Sequence, residues 1–213
     1  MEFINNYFDK IIFIHCAHRK DRYENIQNLL KKTGITNYHI LKATYLKNGA
    51  KGCSHSHYRA LELARVLRWE KVLILEDDFQ FWDNVGEIDN KFKKIIELMK
   101  DDWDVIQGWW LMNAYKKRSE KINEYLRKPT HKKYKAASTV CYAVNNKRDI
   151  MKRLRSVFLK SYNNFSETFY QNEKRYSLDC MWYPLQEKYK WYFIEDKIGY
   201  HINTKSDINY IIK

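Results

Sequence analysis

The chain has 213 residues, 45% of them hydrophobic, which suits the core of a single α/β domain over residues 1–213, and its 6 Gly and 2 Pro exclude long disordered linkers. The apolar run Ile11-Ile12-Phe13-Ile14 is too short to span a membrane, and Cys16, Cys53, Cys141 and Cys180 form no Cys-x-x-Cys pair, so zinc or redox motifs drop out and reduced thiols in a cytoplasmic protein are expected. The formal charge of +13 attracts anions, and nucleic acid, an anionic membrane and phosphate-bearing substrates all fit it.

Residues 10–15 (Lys-Ile-Ile-Phe-Ile-His) predict a buried strand. Asp21 with Glu24 three residues on resembles a capping box, and Tyr23, Ile26, Leu29 and Leu30 give a helical stripe ending near Gly34. Tyr38 to Leu41 predicts a second strand, so the chain opens strand, helix, strand, as a parallel α/β sheet does. Ser54 is the expected cap of a helix whose apolar side is Ala60, Leu63, Ala64 and Leu67. Lys71 to Leu75 is a nearly unbroken aliphatic strand, the pattern of a sheet covered on both faces, and it runs straight into Glu76-Asp77-Asp78.

A third helix carries Ile88, Phe92, Ile95, Ile96 and Met99, followed by a strand from Trp103 to Gln107. Between Lys116 and Lys135 stand nine Lys or Arg against two Glu, either a solvated loop or a surface for anionic partners. Ala136 to Val144 predicts a strand, and Ile150, Met151, Leu154, Val157 and Phe158 a fourth helix. Ser177 is the expected cap of a short helix that Pro184 ends, and Trp191 to Ile194 the next strand. From Gly199 onward an ordered C-terminal loop is expected. Strands alternating with helices imply a Rossmann-like sheet.

Ligands of such a sheet bind beyond the carboxyl ends of its strands, where Glu76-Asp77-Asp78 falls. Three adjacent carboxylates repel one another unless a cation or a proton relieves them. All-oxygen ligands with an open coordination sphere suit Mg²⁺ or Mn²⁺ shared with substrate phosphates, and a solvated acidic turn is the plainer alternative.

Upstream lies Gly52-Cys53-Ser54-His55-Ser56-His57, then a helix, then Val72-Leu73-Ile74-Leu75-Glu76-Asp77-Asp78. This resembles glycosyltransferase family 25, the lipopolysaccharide and collagen sugar transferases, whose pattern is Gly-Cys-x-x-Ser-His, helix, Leu-Ile-Leu-Glu-Asp-Asp. Phe13 to Arg22 is similar to its opening strand and Arg-x-x-Arg turn (Arg19 and Arg22), and Ser138 to Val144 to its central Thr-x-x-Tyr strand. Leu178-Asp179 resembles its later acidic site and Ser206-Asp207-Ile208 its terminal Ser-Asp-Ile. The chain departs at Ile14-His15-Cys16, where the family has Ile-Asn-Leu, and at His201, where it often has Gln.

The resemblance implies a GT-A-like, mostly parallel sheet flanked by helices. It also implies transfer with inversion from a nucleotide-sugar, usually a UDP-sugar such as UDP-galactose or UDP-glucose, to a glycan, lipid-linked or protein acceptor. In that reading Asp78, Glu76 and His201 hold Mn²⁺ (or Mg²⁺), and Arg19, Arg22, His57 and Asp77 serve the donor. Asp179 is the base that takes the acceptor proton, with Glu173 and Glu195 as rivals. Trp109, Trp110, Trp182 and Tyr183 are candidate sugar-stacking faces. The net charge also allows peripheral contact with an anionic membrane. Two other classes compete. A nucleic-acid binder would use the basic segment and its Tyr115, Tyr125 and Tyr134, but no nucleic-acid motif accompanies them. A catalytically inactive sugar-binding or scaffold domain would not need all three acidic residues.

Overall fold

Aliphatic runs covered on both faces form the centre of the sheet in the computed structural model, which describes residues 1–113, 115–130, 135–167 and 171–202. In chain order the first elements are α1 (Glu2–Tyr7), β1 (Lys10–His15), α2 (Lys20–Thr33), β2 (Tyr38–Lys42), α3 (Gly49–Val66), β3 (Lys71–Glu76) and β4 (Phe79–Phe81). Next come α4 (Val85–Met99), β5 (Val105–Gln107), α5 (Tyr115–Arg118), β6 (Ser119–Lys121), β7 (Leu126–Pro129) and β8 (Cys141–Asn145). The last are α6 (Ile150–Asn164), α7 (Leu178–Met181), α8 (Tyr183–Lys188), β9 (Trp191–Ile194) and β10 (Gly199–His201).

Eight strands make one sheet in the order β2-β1-β3-β8-β5-β9-β7-β6. β1 runs parallel to β2 and β3, β9 runs parallel to β5, and β8 and β7 run against their neighbours. The sheet is therefore mixed but mostly parallel in strand direction, with six strands running one way and β8 and β7 reversed. Alternation along the central strands splits the core into two layers. Ile11, Phe13, Leu73 and Leu75 pack with Ile26, Leu29, Phe92 and Ile95 of α2 and α4. Ile12, Ile14, Val72 and Ile74 pack with Ala60, Leu61, Leu154 and Phe158 of α3 and α6, and with Trp182. Each such Val, Leu, Ile or Phe side chain contributes roughly 1.5–3 kcal/mol when fully buried.

Several local expectations are corrected. Arg19 stands at the N-cap of α2, which has no side-chain cap; Asp21 is held by the Arg19 fork instead of closing a capping box. Helix α3 starts at Gly49, and Asn48 caps it by accepting from Lys51 N. Ser54 lies a turn further in, where its hydroxyl bonds Ala50 O and Ser161 Oγ and ties α3 to α6. The strand expected from Ala136 begins only at Cys141, because Ser138 sits at φ +81°, outside any strand conformation. Pro184 opens α8, where no backbone donor is required, rather than ending a helix.

The basic segment is more structured than a solvated loop. It contributes α5 and the β6–β7 hairpin, Arg127 is buried against Ser119 and Glu195, and buried Lys135 pairs with Glu187 at 3.0 Å. Lys132 and Lys133 lie outside the described residues. Gly199 leads not into a loop but into β10, which pairs with β4 as a separate two-stranded sheet. Among the described residues no helix is long and apolar enough to cross a membrane.

Candidate active site

β3 carries the acidic turn to the carboxyl edge of the sheet, and its parallel neighbour β1 brings His15 and Cys16 to the same level. A cavity of about 560 Å³ opens there. Its lining includes Arg22, Cys53, Ser56, His57, Glu76, Asp77, Asp78, Thr139, Asp179, Tyr183 and His201. Gly52 lets α3 approach this edge closely, since a Cβ would lie 2.5 Å from Thr44 O. One turn on, the Ser56 hydroxyl donates to Gly52 O and accepts from Thr44 N, fastening the helix to the exit of β2. The glycine and serine of the Gly-Cys-x-x-Ser-His pattern thus set the distance between helix and sheet.

Both carboxylate oxygens of Asp77 have partners within the protein. One of its oxygens accepts from Cys16 N at 2.8 Å and lies 3.0 Å from His15 Nδ1; the other accepts from Arg22 Nη1 at 2.8 Å. The same Arg22 nitrogen is 3.1 Å from Asp78 Oδ2, and the arginine is only 7% exposed. An internal guanidinium is therefore part of what relieves the carboxylate crowding. A buried arrangement of this kind is held by its own hydrogen bonds and loses heavily when one partner is removed.

Glu76 accepts from Thr139 Oγ1 at 2.7 Å and stands 3.3 Å from His57 Nε2. The fully buried His57 meets the Tyr142 hydroxyl through Nδ1 at 2.9 Å. Thr139 and Tyr142, the two named positions of the Thr-x-x-Tyr pattern, thus hold the Glu76–His57 pair from opposite ends. Burial opposes the charge on Glu76, but the hydrogen bonds of His57 and Thr139 keep its carboxyl below its usual value. Asp179 is in the first turn of α7 and accepts from Ser138 N at 3.1 Å. Burial, reinforced by the charge of Glu76, pushes the Asp179 carboxyl above the ordinary range. The left-handed Ser138 is a strained residue at the cavity edge. It is fastened there by the Gln107 amide, which donates to Ala137 O and Ser138 O.

Asp78 differs from Asp77 in one respect. Its Oδ2 takes Arg22 and, at 3.0 Å, His201 Nε2, but its buried Oδ1 has no hydrogen-bond partner among the described residues. Burial and the charge of Glu76 raise the Asp78 carboxyl, against the pull of His201 and Arg22. The hydrogen bond to Asp78 in turn raises the imidazole of His201. His201 comes from β10, opposite Phe79 in the register, and Ile202 N donates to Asp78 O at 2.8 Å. Gly199 permits that pairing, because a Cβ there would meet Gln80 O and lie 2.5 Å from the Phe79 ring.

The profile of glycosyltransferase family 25 (LPS biosynthesis protein) matches residues 11–189, which takes in all of β1 but its first residue and every element from α2 to α8. The chain belongs to glycosyltransferase family 25. As a member of that family it is a glycosyltransferase. No curated protein sequence matches it. Similar solved structures include A197 from STIV (12% identity, TM-score 0.48, covering 93% of this chain and 86% of that one). Another is a glycosyltransferase involved in glycosylation of the major capsid of PBCV-1 (11%, TM-score 0.47, 93% and 94%). A third is mannose-1-phosphate geranyltransferase from Thermus thermophilus (9%, TM-score 0.47, 87% and 72%). Likeness at this level says nothing about substrate.

In this family 25 enzyme the cavity collects Arg22 from α2, His57 from α3, Glu76, Asp77 and Asp78 from the end of β3, Asp179 from α7 and His201 from β10. Arg19 is not among its lining residues and forks onto Asp21. Ser206-Asp207-Ile208 lies outside the described residues. Of the aromatic candidates only Tyr183 lines the cavity; Trp110 and Trp182 are buried in the core, and Trp109 stands beside His201 with ring centroids 6.1 Å apart. Glu173 is bonded to Ser166, and Glu195 pairs with Arg127, away from the acidic turn. Sequence reasoning misses the roles of His15 and Ser138. His15 stands where the family has Asn, and that departure is its one visible signal.

Proposed function

We propose that this glycosyltransferase moves a sugar from a nucleotide-sugar, a UDP-sugar such as UDP-galactose or UDP-glucose, to a hydroxyl of a glycan, lipid-linked or protein acceptor, with inversion and with Mn²⁺ (or Mg²⁺). The observation that carries the reading is the unpartnered, buried Oδ1 of Asp78 beside His201 in a cavity that also holds Asp179. Carboxylate oxygen with imidazole nitrogen fits Mn²⁺ better than Mg²⁺. Asp78 and His201 would hold the cation, with Glu76 at its margin, and Asp77 would orient the turn. A bound dication supplies electrostatic stabilisation to the departing diphosphate. Arg22 faces the same cavity and adds positive charge at its floor.

Asp179 takes the acceptor proton as the acceptor oxygen attacks the anomeric carbon opposite the leaving group, which inverts the centre. Its raised carboxyl makes it a stronger base than an ordinary aspartate while it stays ionised above that raised value. The net charge of +13 favours anionic or membrane-borne acceptors.

The test is a donor screen with and without Mn²⁺ on the wild type, Asp78→Asn, His201→Ala and His201→Gln. Transfer should vanish in Asp78→Asn. His201→Ala should need more Mn²⁺, with Gln partly sparing. Full activity of Asp78→Asn in a chelator overturns the metal reading. Sugar binding with no turnover for any donor returns the protein to a non-catalytic role.

A further inference from the structure

A second group of potential ligands stands in the same cavity but uses different chemistry. Cys53 and His57 are four residues apart on α3 and so share one helix face. Opposite them Glu76 ends β3, and the ligand atoms of all three lie within 4.8 Å of one another. The 3.3 Å between His57 Nε2 and Glu76 Oε1 is long for a charge-assisted hydrogen bond. It also matches the spacing that two ligands of one zinc would have, because two atoms each about 2.0–2.1 Å from a tetrahedral zinc are about 3.3–3.4 Å apart.

The outer shell is present as well. Tyr142 OH meets the far nitrogen of His57 at 2.9 Å and leaves Nε2 for the cluster, while Thr139 orients the Glu76 carboxylate from 2.7 Å. Such outer partners are what distinguish a built metal site from a chance grouping. Thiolate, imidazole and carboxylate together select a thiophilic dication rather than Mg²⁺ or Mn²⁺. All three residues line the cavity, so a fourth position is open to water or to a ligand atom.

We propose that Cys53, His57 and Glu76 form a zinc site, separate from Asp78 and His201, that clamps α3 to the end of β3. The ion neutralises carboxylate charge at the cavity floor, and binding raises the stability of the native chain because the unfolded chain has no such cluster.

Cobalt is the probe. The full chain, stripped with a chelator, is titrated with Co²⁺ and read by absorbance. Expected are one thiolate-bound Co²⁺ per chain, a near-ultraviolet thiolate-to-cobalt band, and loss of that band on adding Zn²⁺. Cys53→Ser should lose the band, and Tyr142→Phe should weaken binding about 10–100-fold. Asp78→Asn should keep the band even where it abolishes transfer, which separates this site from the catalytic reading. In the wild type, Zn²⁺ should also protect Cys53 from alkylation, read by peptide mass spectrometry, so the test survives a poorly folding variant. Absence of the band in the wild type, its persistence in Cys53→Ser, or alkylation of Cys53 undiminished by Zn²⁺ overturns the proposal.

Discussion

Arg22→Met removes the guanidinium that faces both Asp77 and Asp78 while keeping most of the apolar stem. Both carboxylates are buried, at 3% and 4% exposure, so water does not replace the lost partner well. Breaking a buried pair by removing one member costs about 3–5 kcal/mol. For a domain of this size each kcal/mol lowers Tm by about 2–4 °C, which gives a fall of about 6–20 °C. The sign with pH follows. The Asp78 carboxyl is already raised by burial, and losing the pull of Arg22 raises it further above its value in the unfolded chain. Such a shift destabilises above the unfolded pKa and vanishes as pH falls below it. The gap between variant and wild type should therefore narrow as pH drops through the carboxylate range. Adding Asp77→Asn to Arg22→Met should recover part of the loss, because the pair is coupled. Thermal unfolding of the wild type, both single variants and the double variant across pH is the assay. A drop of less than about 2 °C for Arg22→Met, against the range expected for a broken buried pair, or a gap indifferent to pH, would refute the internal counter-ion argument.

Asp179→Asn should lower turnover about 10²–10⁴-fold with little change in donor affinity, and should raise Tm at neutral pH, since a carboxyl with a raised folded-state pKa opposes folding once ionised. In the wild type the acid limb of the rate profile should lie above the ordinary carboxylate range; surviving turnover with collapsed donor affinity would make Asp179 a binding residue. Gly199→Val should push β10 off β4 and raise the Mn²⁺ requirement while far-ultraviolet circular dichroism is retained, and an unchanged Mn²⁺ titration would sever His201 from the metal. Thr139→Val removes a hydrogen bond to a charged group and should cost about 1.5–3 kcal/mol, read by urea unfolding; a neutral result would show Glu76 held by His57 alone.

The legible parts of the fold are those where burial dictates residue type. The runs at Ile11–Ile14 and Val72–Leu75 can only be central strands, and the acidic turn must then emerge at the ligand edge. Less legible are features decided by particular polar contacts. Nothing local distinguishes Asn48 from Ser54 as the α3 cap; the choice rests on Gly52 approaching Thr44, a contact between chain segments. Ala136 to Cys141 has strand composition, yet bonds from Gln107 and Gln186 hold part of it in irregular form. At the site, residue types mark the carboxylates but not their partners. Arg22 reads equally as a surface charge or a phosphate ligand, and only the packing of α2 against the sheet turns it inward. Cys53 and His57 read as parts of a pattern, since their kinship as possible ligands needs Glu76 from another element.

Among the described residues, the strand that carries His201 ladders with β4 and takes no place in the eight-stranded sheet. Lifting it away would break one short ladder and the contacts with Asp78 while leaving the main sheet intact, so the site can come apart while the fold persists. Amide hydrogens of β10 should then exchange with solvent by a local opening, far sooner than those of β1 and β3. Folding and competence to bind the proposed cation would then be separate events, set by different stabilities within one molecule.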